Sequence, residues 1–198
     1  MSEPDAPIEV IVADITTLDA DAIVNADGVV LPGVGAFKDC FDGLAQRGLV
    51  EPVKAAAASG RPFLGICVGL QLLFEESEEG AGSEGLGIFK GKVVRFPDAR
   101  ETHLKVPHMG WNQLRPVPGK TSPLLSNASA SPYAYFVHSY YAQPADADIV
   151  LATCEYGVTF PAMVGKDNVY AVQFHPEKSQ TDGIAILQAF GKMVNGKS

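Results

Sequence analysis

The residue best suited to chemistry is a cysteine flanked by glycines. Cys67 lies in Gly-Ile-Cys-Val-Gly, residues 65–69, where an apolar strand pattern ends and a helix pattern begins. A turn of this kind exposes a nucleophile at its tip, directs a helix N-terminus at the sulfur and presents the Val68 N–H group to a developing oxyanion. A buried structural cysteine would fit the bare motif equally well.

A second motif supplies the base that a thiol nucleophile needs. It is Gln-Phe-His-Pro-Glu-Lys, residues 173–178. The imidazole of His175 would act as the base, and a carboxylate would fix its tautomer. Pro176 favours an extended geometry from which Glu177 can reach back to the ring. The two motifs together predict a Cys-His-Glu triad.

Other histidines compete for the role of base. His108 and His138 are rivals, but neither has a carboxylate two residues later in the chain. His103 is interpreted as a structural residue, because a lone histidine without a nearby partner motif usually has no catalytic role.

A third motif, Pro-Gly-Val-Gly at residues 32–35, directly follows an apolar strand pattern. Its successive backbone N–H groups could stabilise an oxyanion, and its glycines tolerate a change of peptide orientation. An ordinary strand-to-helix turn is the alternative interpretation. The motif is not a dinucleotide-binding fingerprint, because this turn lacks the third glycine of Gly-x-Gly-x-x-Gly and the downstream ribose carboxylate.

The elements that must position these motifs alternate between strand and helix patterns. An amphipathic stretch over residues 36–59 is interrupted by Gly48 and Pro52, and an acidic, Gly-rich loop covers residues 75–87. A closing helix is predicted from Thr181, as its N-cap, to about residue 195. Strand patterns cover residues 8–12, 28–31, 61–67, 92–96, 111–115, 135–140, 149–155 and 168–174, and a further helix pattern covers 68–74. The sum predicts a single-domain α/β fold with a mixed, mostly parallel sheet flanked by helices.

Composition narrows the class of partner. The chain has 198 residues, 46% of them hydrophobic, and 15 basic against 23 acidic residues give a net charge of -8. This charge argues against nucleic acid and against an anionic membrane surface. The acidic N-terminus and the lack of a long apolar run predict a cytoplasmic protein. Three dispersed cysteines suit neither a disulfide framework nor a Cys-x-x-Cys metal site. Catalysis by a Cys-His-Glu triad requires no metal and no organic cofactor, so none is expected.

In this order and spacing, the motifs resemble the triad-type glutamine amidotransferases, and most closely the glutaminase subunits of imidazole glycerol phosphate synthase. The resemblance implies a class I glutamine amidotransferase-like, flavodoxin-like fold over residues 26–198. Five segments carry it: Gly-Val-Gly-Ala-Phe (33–37), Gln-Leu-Leu-Phe-Glu-Glu-Ser-Glu-Glu (71–79), Pro-His-Met-Gly-Trp-Asn (107–112), Tyr-Phe-Val-His-Ser-Tyr (135–140) and Gln-Phe-His-Pro-Glu-Lys (173–178).

The family's roles carry over to matching positions. The resemblance implies Cys67 as nucleophile, His175 as base and Glu177 as its orienting carboxylate, with Gly35 and Val68 near the oxyanion. The residues implied to hold glutamine are Gln71, Glu79, Ser139 and Tyr140, and those implied to face a partner are Trp111, Tyr135 and Lys178.

The implied reaction is hydrolysis of glutamine to glutamate and ammonia. In the family, ammonia travels to a (β/α)8-barrel cyclase subunit, with which the glutaminase forms a heterodimer that acts as a lyase in histidine biosynthesis. From the residues alone, Trp111 suits either an interface or the core. Glu79 could pair with the ammonium group of glutamine or could belong to a solvated acidic loop.

The first 25 residues depart from the family. Residues 8–25 resemble the opening of a macrodomain, an ADP-ribose-binding module, with Asp14 and Asn25 at matching positions. We therefore expect an atypical segment over 1–25, in which residues 8–12 replace the family's first strand, followed by the amidotransferase domain over 26–198. Three alternative functions stay open: a catalytically silent interaction subunit, the glutaminase subunit of another amidotransferase, and an ADP-ribose-binding module.

Overall fold

The fold is known from a computed structural model that describes residues 20–80, 82–98 and 104–196. Its helices are α1 (Ala20–Asn25), α2 (Phe37–Gln46), α3 (Val50–Ala58), α4 (Val68–Leu72) and α5 (Gln180–Val194). Short 3-10 helices cover Pro123–Leu125, Ala147–Ile149 and Pro176–Lys178. The strands are β1 (Val29–Gly33), β2 (Phe63–Cys67), β3 (Glu76–Ser77), β4 (Ser83–Glu84), β5 (Gly91–Arg95), β6 (His108–Gln113), β7 (Arg115–Pro116), β8 (Tyr133–His138), β9 (Tyr140–Pro144), β10 (Val150–Tyr156), β11 (Val158–Lys166) and β12 (Val169–Val172).

The largest sheet has the strand order β1-β2-β12-β11-β10-β7. Strand β2 lies inside this sheet, and all five of its residues are buried. A continuous apolar run of this kind is typical of a parallel strand covered on both faces. With helices flanking the sheet, the predicted mixed α/β fold class is confirmed.

Parallel pairing is confined to the part of this sheet that carries the candidate nucleophile. Strands β1, β2 and β12 are parallel, whereas β12, β11, β10 and β7 pair antiparallel. The antiparallel share follows from short connections, because a parallel connection needs a crossover of a dozen or more residues. Only Gly157 separates β10 from β11, and its φ of 70° lies in the left-handed region. Asp167, with φ 54°, lies in the turn between β11 and β12.

Two smaller sheets correct the sequence interpretation. The segment predicted as loop 75–87 contains β3 and β4, which join β5 and β9 in a four-stranded sheet. The strand predicted over 135–140 is divided at Ser139: β8 pairs with β6, and β9 pairs with β5. The closing helix begins at Gln180, one residue before the predicted cap, and Thr181 lies inside it.

The hydrophobic core contains residues from both the early and the late part of the chain. Helix α2 buries Phe37 and Leu44, seven residues apart on one face. The fully buried aromatic side chains include Phe63, Phe136 and Phe174, each of which contributes about 2 to 3 kcal/mol through apolar burial. None of the helices in the described ranges is long and apolar enough to cross a membrane.

Candidate active site

The turn between β2 and α4 holds Cys67 at its tip. Cys67 has φ 56°, a conformation that non-glycine residues adopt rarely and that the surrounding structure must enforce. The flanking glycines make the turn possible. A Cβ on Gly69 would overlap the Leu31 carbonyl oxygen, and one on Gly65 would lie 2.9 Å from the Gly69 oxygen. The predicted strand–nucleophile–helix turn is therefore present.

Cys67 is 4% exposed. Burial raises the pKa of its thiol to about 11; the backbone N–H of Val68 lowers the pKa, and the negative charge of Glu177 raises it. The sequence predicted that the helix N-terminus would favour the thiolate. The Val68 N–H does act in that direction, but loss of solvent outweighs it, so the thiol of the isolated chain is protonated at neutral pH.

His175 and Glu177 are in direct contact at the edge of the sheet where β12 ends. The His175 Nδ1 atom lies 2.8 Å from Glu177 Oε1. A carboxylate oxygen accepts this hydrogen bond, so the His175 Nδ1 atom carries a hydrogen, and in the neutral ring Nε2 is then the nitrogen that can accept a proton. The ring is buried, whereas the carboxylate side chain is half exposed.

The neighbouring strand β8 fixes the backbone at His175. The His175 N–H donates to the Tyr135 carbonyl at 2.9 Å. The Ser179 hydroxyl donates to the His175 carbonyl at 2.6 Å and accepts from the Tyr135 N–H at 2.9 Å. Tyr135, predicted to face a partner, is thereby connected to the backbone of the candidate base.

Sheet register brings the two motifs to one edge. Strands β2 and β12 are parallel with Ile66 opposite Val172, so Cys67 and Gln173 follow side by side. Two residues further along the second strand lies His175, and its partner Glu177 contributes to the electrostatic environment of the Cys67 thiol. Two motifs separated by more than a hundred residues thus meet at the carboxyl ends of parallel strands, where α/β folds place their sites.

The predicted oxyanion turn lies beside this site. Gly33 pairs with Cys67 in the β1–β2 ladder, and a Cβ at Gly33 would lie 2.8 Å from the Cβ of Val68. Gly35 has φ 92°, which favours glycine, although open space surrounds the position where a Cβ would be. The turn is attached to α2, because the Cys40 thiol donates to the Val34 carbonyl at 3.3 Å.

The residues implied to bind glutamine divide into two groups. Gln71 is buried, and its Nε2 donates to the Tyr140 carbonyl at 3.0 Å and to Gln173 Oε1 at 3.2 Å. Ser139 lies between β8 and β9, and its carbonyl accepts from the Phe96 N–H at 3.0 Å. Gln71 and Tyr140 therefore lie together near Cys67.

Glu79 belongs to the second group. Its Oε2 accepts a hydrogen bond from the Phe37 N–H at 2.7 Å, at the first residue of α2. The carboxylate is partly buried, and its negative charge interacts favourably with the positive, N-terminal end of the dipole of that helix. Since Phe37 follows Gly35 by two residues, Glu79 lies close to the predicted oxyanion turn.

The rival bases, His108 and His138, are bonded to each other. His108 Nδ1 lies 3.1 Å from His138 Nε2, and His138 Nδ1 lies 2.8 Å from the Tyr140 carbonyl. Since a carbonyl only accepts, His138 carries its proton on Nδ1 and accepts on Nε2, so His108 donates from its own Nδ1. Burial lowers the pKa of His108 to about 4 and that of His138 to about 3. Both rings are neutral structural groups.

Beyond the histidines, the chain of hydrogen bonds continues to strand β10. Asn112 Nδ2 lies 3.4 Å from His108 Nε2 and donates to the Glu155 carbonyl at 2.8 Å. His103 lies outside the described residues, and the described ranges contain no cluster of His, Cys, Asp or Glu that could hold a metal ion.

The predicted partner residues lie on an exposed surface. Trp111 is 47% exposed and packs edge-to-face on Tyr135, with ring centroids 6.1 Å apart. Lys178 is exposed at the end of the 3-10 helix that holds Glu177. Met109 and Tyr133 are also exposed, and the sequence motifs did not single them out. The alternation of exposed and buried residues along β6 and β8 could have identified both.

Sequence reasoning also missed the role of Gln173 as a neighbour of the thiol. Its side chain is fully buried, and its Nε2 donates to Cys67 Sγ at 3.9 Å. Gln173 stands two residues before His175 and therefore on the same face of the extended chain. This two-residue spacing was the feature of the sequence from which the position of Gln173 could have been predicted.

Comparison with known proteins supplies independent information. The family model for glutamine amidotransferase class-I matches residues 4–193. The match begins inside the segment 1–25 that the sequence predicts to be atypical. Residues 1–19 lie outside the described residues, so the macrodomain-like opening and its Asp14, together with the implied role of Asn25, stay predictions.

Curated relatives cover most of the chain. A protein of Syntrophotalea carbinolica named imidazole glycerol phosphate synthase subunit HisH is 55% identical over 183 residues, which cover 89% of this chain and 86% of the relative. A protein of the same name from Geobacter sulfurreducens is 48% identical and covers 90% of this chain and 86% of the relative.

Solved structures show the same fold at low identity. A putative GMP synthase subunit of Thermoplasma acidophilum superposes with a TM-score of 0.63 at 21% identity, covering 90% of this chain and 78% of that one. The glutaminase domain of Trypanosoma brucei CTPS with bound acivicin gives a TM-score of 0.65 at 19% identity, covering 90% and 75%.

Proposed function

We propose a function that follows from one premise: the chain belongs to the class-I glutamine amidotransferase family, among the HisH subunits of imidazole glycerol phosphate synthase. As such a subunit it hydrolyses glutamine to glutamate and ammonia, and the ammonia passes to a cyclase subunit. The observation that carries the proposal is the 2.8 Å contact between His175 and Glu177, at the sheet edge where Cys67 also lies.

The triad residues have distinct roles in the reaction. Cys67 loses its proton to Nε2 of His175, and the sulfur attacks the side-chain amide carbon of glutamine, forming a C–S bond. The C–N bond then breaks, and the proton held by His175 leaves with ammonia. Water, deprotonated by the same ring, cleaves the thioester to glutamate and restores the thiol. Glu177 keeps the ring proton on Nδ1 throughout and stabilises the imidazolium.

Backbone N–H groups near Val68 and Gly35 stabilise the oxyanion. Val68 follows the nucleophile directly, and its N–H already acts on the Cys67 sulfur. Gly35 belongs to the turn next to Val68; it has no side chain to obstruct its N–H group, and its surroundings are open. Two donors aimed at one oxygen are the usual requirement for this type of stabilisation.

Glutamine is bound by groups on both sides of the thiol. Tyr140 and Ser139 line one side through the β8–β9 junction, and Gln71 supports Tyr140 from the interior. Glu79 supplies a carboxylate for the substrate ammonium on the side of the oxyanion turn. This role requires the bond between Glu79 and the Phe37 N–H to be shared or exchanged when glutamine binds.

The exposed aromatic surface binds the partner. Trp111, Tyr135 and Lys178 lie on or next to the two-stranded β6–β8 sheet, and exposed aromatic residues are typical anchors of protein interfaces. The partner is a (β/α)8-barrel cyclase subunit, and the cytoplasmic heterodimer has the lyase activity of the complete synthase. Docking beside His175 would let released ammonia enter the partner without diffusing through solvent.

The decisive experiment measures glutamate release from glutamine by the purified chain, with and without a cyclase subunit that carries its nucleotide ligand. We expect strong stimulation by the partner, and Cys67→Ala to reduce the stimulated rate by about a thousandfold or more. Cys154→Ala, which removes a buried thiol elsewhere in the fold, is the matched control and retains the activity.

Each outcome of this experiment has a clear meaning. Full activity of Cys67→Ala would contradict the assigned chemistry. No release from the folded wild-type protein in either condition would favour a catalytically silent interaction subunit. Release that no cyclase stimulates would indicate the glutaminase subunit of another amidotransferase. Binding of ADP-ribose, measured by calorimetry, would support the macrodomain alternative.

A further inference from the structure

Gln173 contacts the candidate nucleophile from a fully buried position. Its Nε2 atom lies 3.9 Å from Cys67 Sγ, within reach of an N–H···S hydrogen bond, and its Oε1 accepts from Gln71 Nε2 at 3.2 Å. A buried amide that is satisfied on both ends is held in one orientation, because each lost hydrogen bond would leave a desolvated polar group.

The direction of these hydrogen bonds is determined by a backbone carbonyl. One end of the Gln71 side-chain amide lies 3.0 Å from the Tyr140 carbonyl oxygen. Because a carbonyl oxygen only accepts hydrogen bonds, this end must be the NH2 group, Nε2. The same Nε2 carries the second hydrogen, which points to Gln173, so the facing atom of Gln173 must be its carbonyl oxygen. The remaining end of the Gln173 amide, which faces the sulfur, is therefore the NH2 group.

We propose that Gln173 is a positioning residue for the reaction of Cys67: its side-chain N–H group, oriented by Gln71, donates to the sulfur, holds it at the tip of the turn and stabilises the thiolate. This role rests on the proposed function, in which Cys67 is the nucleophile. Gln173 does not need to touch glutamine to act in this way.

The electrostatic environment shows why such a donor matters. Burial and the Glu177 carboxylate raise the pKa of the Cys67 thiol, and the Cys40 thiol on α2 acts in the same direction. The Val68 N–H and the positive charge of Lys178 lower it, and the His175 ring follows on the same strand edge. Helix α4 has only five residues, so its N-terminus supplies a weak dipole. An N–H from the side of β12 is a further stabilising group for the thiolate.

The test measures how fast Cys67 reacts with iodoacetamide, resolved by peptide mass spectrometry on the full-length protein. Gln173→Met keeps the side-chain length but removes both the donor to Cys67 and the acceptor for Gln71. We expect the labelling rate of Cys67 at fixed pH to fall about tenfold, equivalent to a rise in thiol pKa of about one unit. The labelling rate of Cys40 in the same molecules is the internal reference and stays unchanged. Gln143→Met, the same change at an exposed position of β9, is the matched control.

Activity supplies a second readout. With the cyclase partner present, Gln173→Met lowers kcat for glutamine hydrolysis and leaves KM nearly unchanged, because Gln173 contacts the nucleophile and not the substrate, and Gln71 keeps its hydrogen bond to the Tyr140 carbonyl. A merely structural role would alter the melting temperature without selectively slowing Cys67. The labelling experiment needs no glutamine turnover, so its result is independent of whether the proposed glutaminase function is correct.

A second variant covers the case in which Gln173→Met does not fold. Gln173→Glu retains the acceptor for Gln71 and presents an oxygen to the sulfur, so Cys67 labelling should fall further than in Gln173→Met, which removes the donor without placing an oxygen beside the sulfur. Labelling of Cys67 within twofold of wild type in either folded variant would overturn the proposal.

Discussion

The two faces of the β6–β8 sheet carry opposite chemistry. Its buried face contains the polar rings of His108 and His138 beside the apolar Phe136, whereas Met109, Trp111 and Tyr133 on the other face are exposed. The usual distribution is the reverse, with apolar residues inside and polar ones in solvent. The buried polar rings and the exposed apolar side chains therefore each need an explanation.

On the buried face, hydrogen bonds compensate for the loss of water. His138 bonds to the Tyr140 carbonyl, His108 bonds to His138, and Asn112 connects the pair to the Glu155 carbonyl. On the exposed face, no other part of the described residues covers the apolar side chains of Met109, Trp111 and Tyr133 from solvent. We attribute their presence to binding of the proposed partner. One two-stranded element therefore both supports the Tyr140 junction near Cys67 and presents the proposed docking surface.

The largest effect is expected from a change on the buried face. His138→Leu leaves the Nδ1–H group of His108 without its acceptor and removes a donor to Tyr140, so unfolding free energy should fall by about 2 to 4 kcal/mol. Urea unfolding measures this loss. The matched change on the exposed face, Met109→Ala, should alter stability by less than about 0.5 kcal/mol. Equal losses in the two variants would contradict the contrast between the faces.

A change on the exposed face should affect binding instead of folding. Trp111→Ala removes the proposed aromatic anchor and should weaken binding of the cyclase subunit by about thirtyfold, roughly 2 kcal/mol. Isothermal titration calorimetry measures the affinity. Ile184→Ala changes another exposed apolar side chain, on α5 and outside the two strands of the β6–β8 sheet, and serves as the control. Unchanged affinity in Trp111→Ala would remove the sheet from the proposed interface.

Lowering the pH should reduce the free energy of unfolding through the two buried histidines. Burial lowers the pKa of His138 to about 3 from an ordinary value of 6.5, so the unfolded chain binds its proton first as pH falls. Stability is therefore fully present above pH 6.5 and is lost progressively toward pH 3, by about 2 kcal/mol between pH 7 and pH 5 for this one ring. His108 acts in the same direction. Urea titrations at the two pH values measure the effect, and equal stability at both would show that the rings are not buried as neutral groups.

The smallest effect on stability is expected from a change beside the first residue of strand β8. Asp182 at the start of α5 accepts hydrogen bonds from the N–H groups of Ser129 and Tyr133 and from the Ser129 hydroxyl. Burial raises the pKa of Asp182, but these bonds outweigh burial and hold the pKa below its ordinary value. Asp182→Asn should cost about 0.5 to 1 kcal/mol. Faster hydrogen exchange at Tyr133, with an unchanged rate on β12, would locate the loss; unchanged exchange at Tyr133 would contradict this role.

Local patterns predicted the parts of the site that depend on short segments. The turn at Cys67 follows from glycines at fixed offsets. Pro176 keeps only the preceding His175 extended, and the 3-10 helix Pro176–Lys178, which the sequence analysis did not predict, turns Glu177 back to the ring. Strand β11 was missed because Pro161 and Gly165 are unfavourable inside a strand. In the fold, Pro161 pairs with Thr153 beside a register irregularity in β10, where the regular ladder is already interrupted.

Other features depend on register between distant strands and could not be obtained from one sequence. The contact between Gln173 and Cys67 spans 106 residues and requires β2 and β12 to be aligned. The buried histidine pair requires the β6–β8 pairing. Glu79 stood out in the sequence as a notable carboxylate, but its bond to the Phe37 N–H depends on how the 75–87 segment folds back on α2.

The assigned nucleophile is tested most directly by trapping the covalent intermediate. The complex of the chain with its cyclase partner would be mixed with glutamine, quenched in acid within its turnover time, digested and analysed by mass spectrometry. We expect a glutamyl group attached to the Cys67 peptide of the wild type and no adduct in Cys67→Ala. Glutamine turnover with an adduct on Cys40 or Cys154, or with full activity in Cys67→Ala, would show that Cys67 is not the nucleophile.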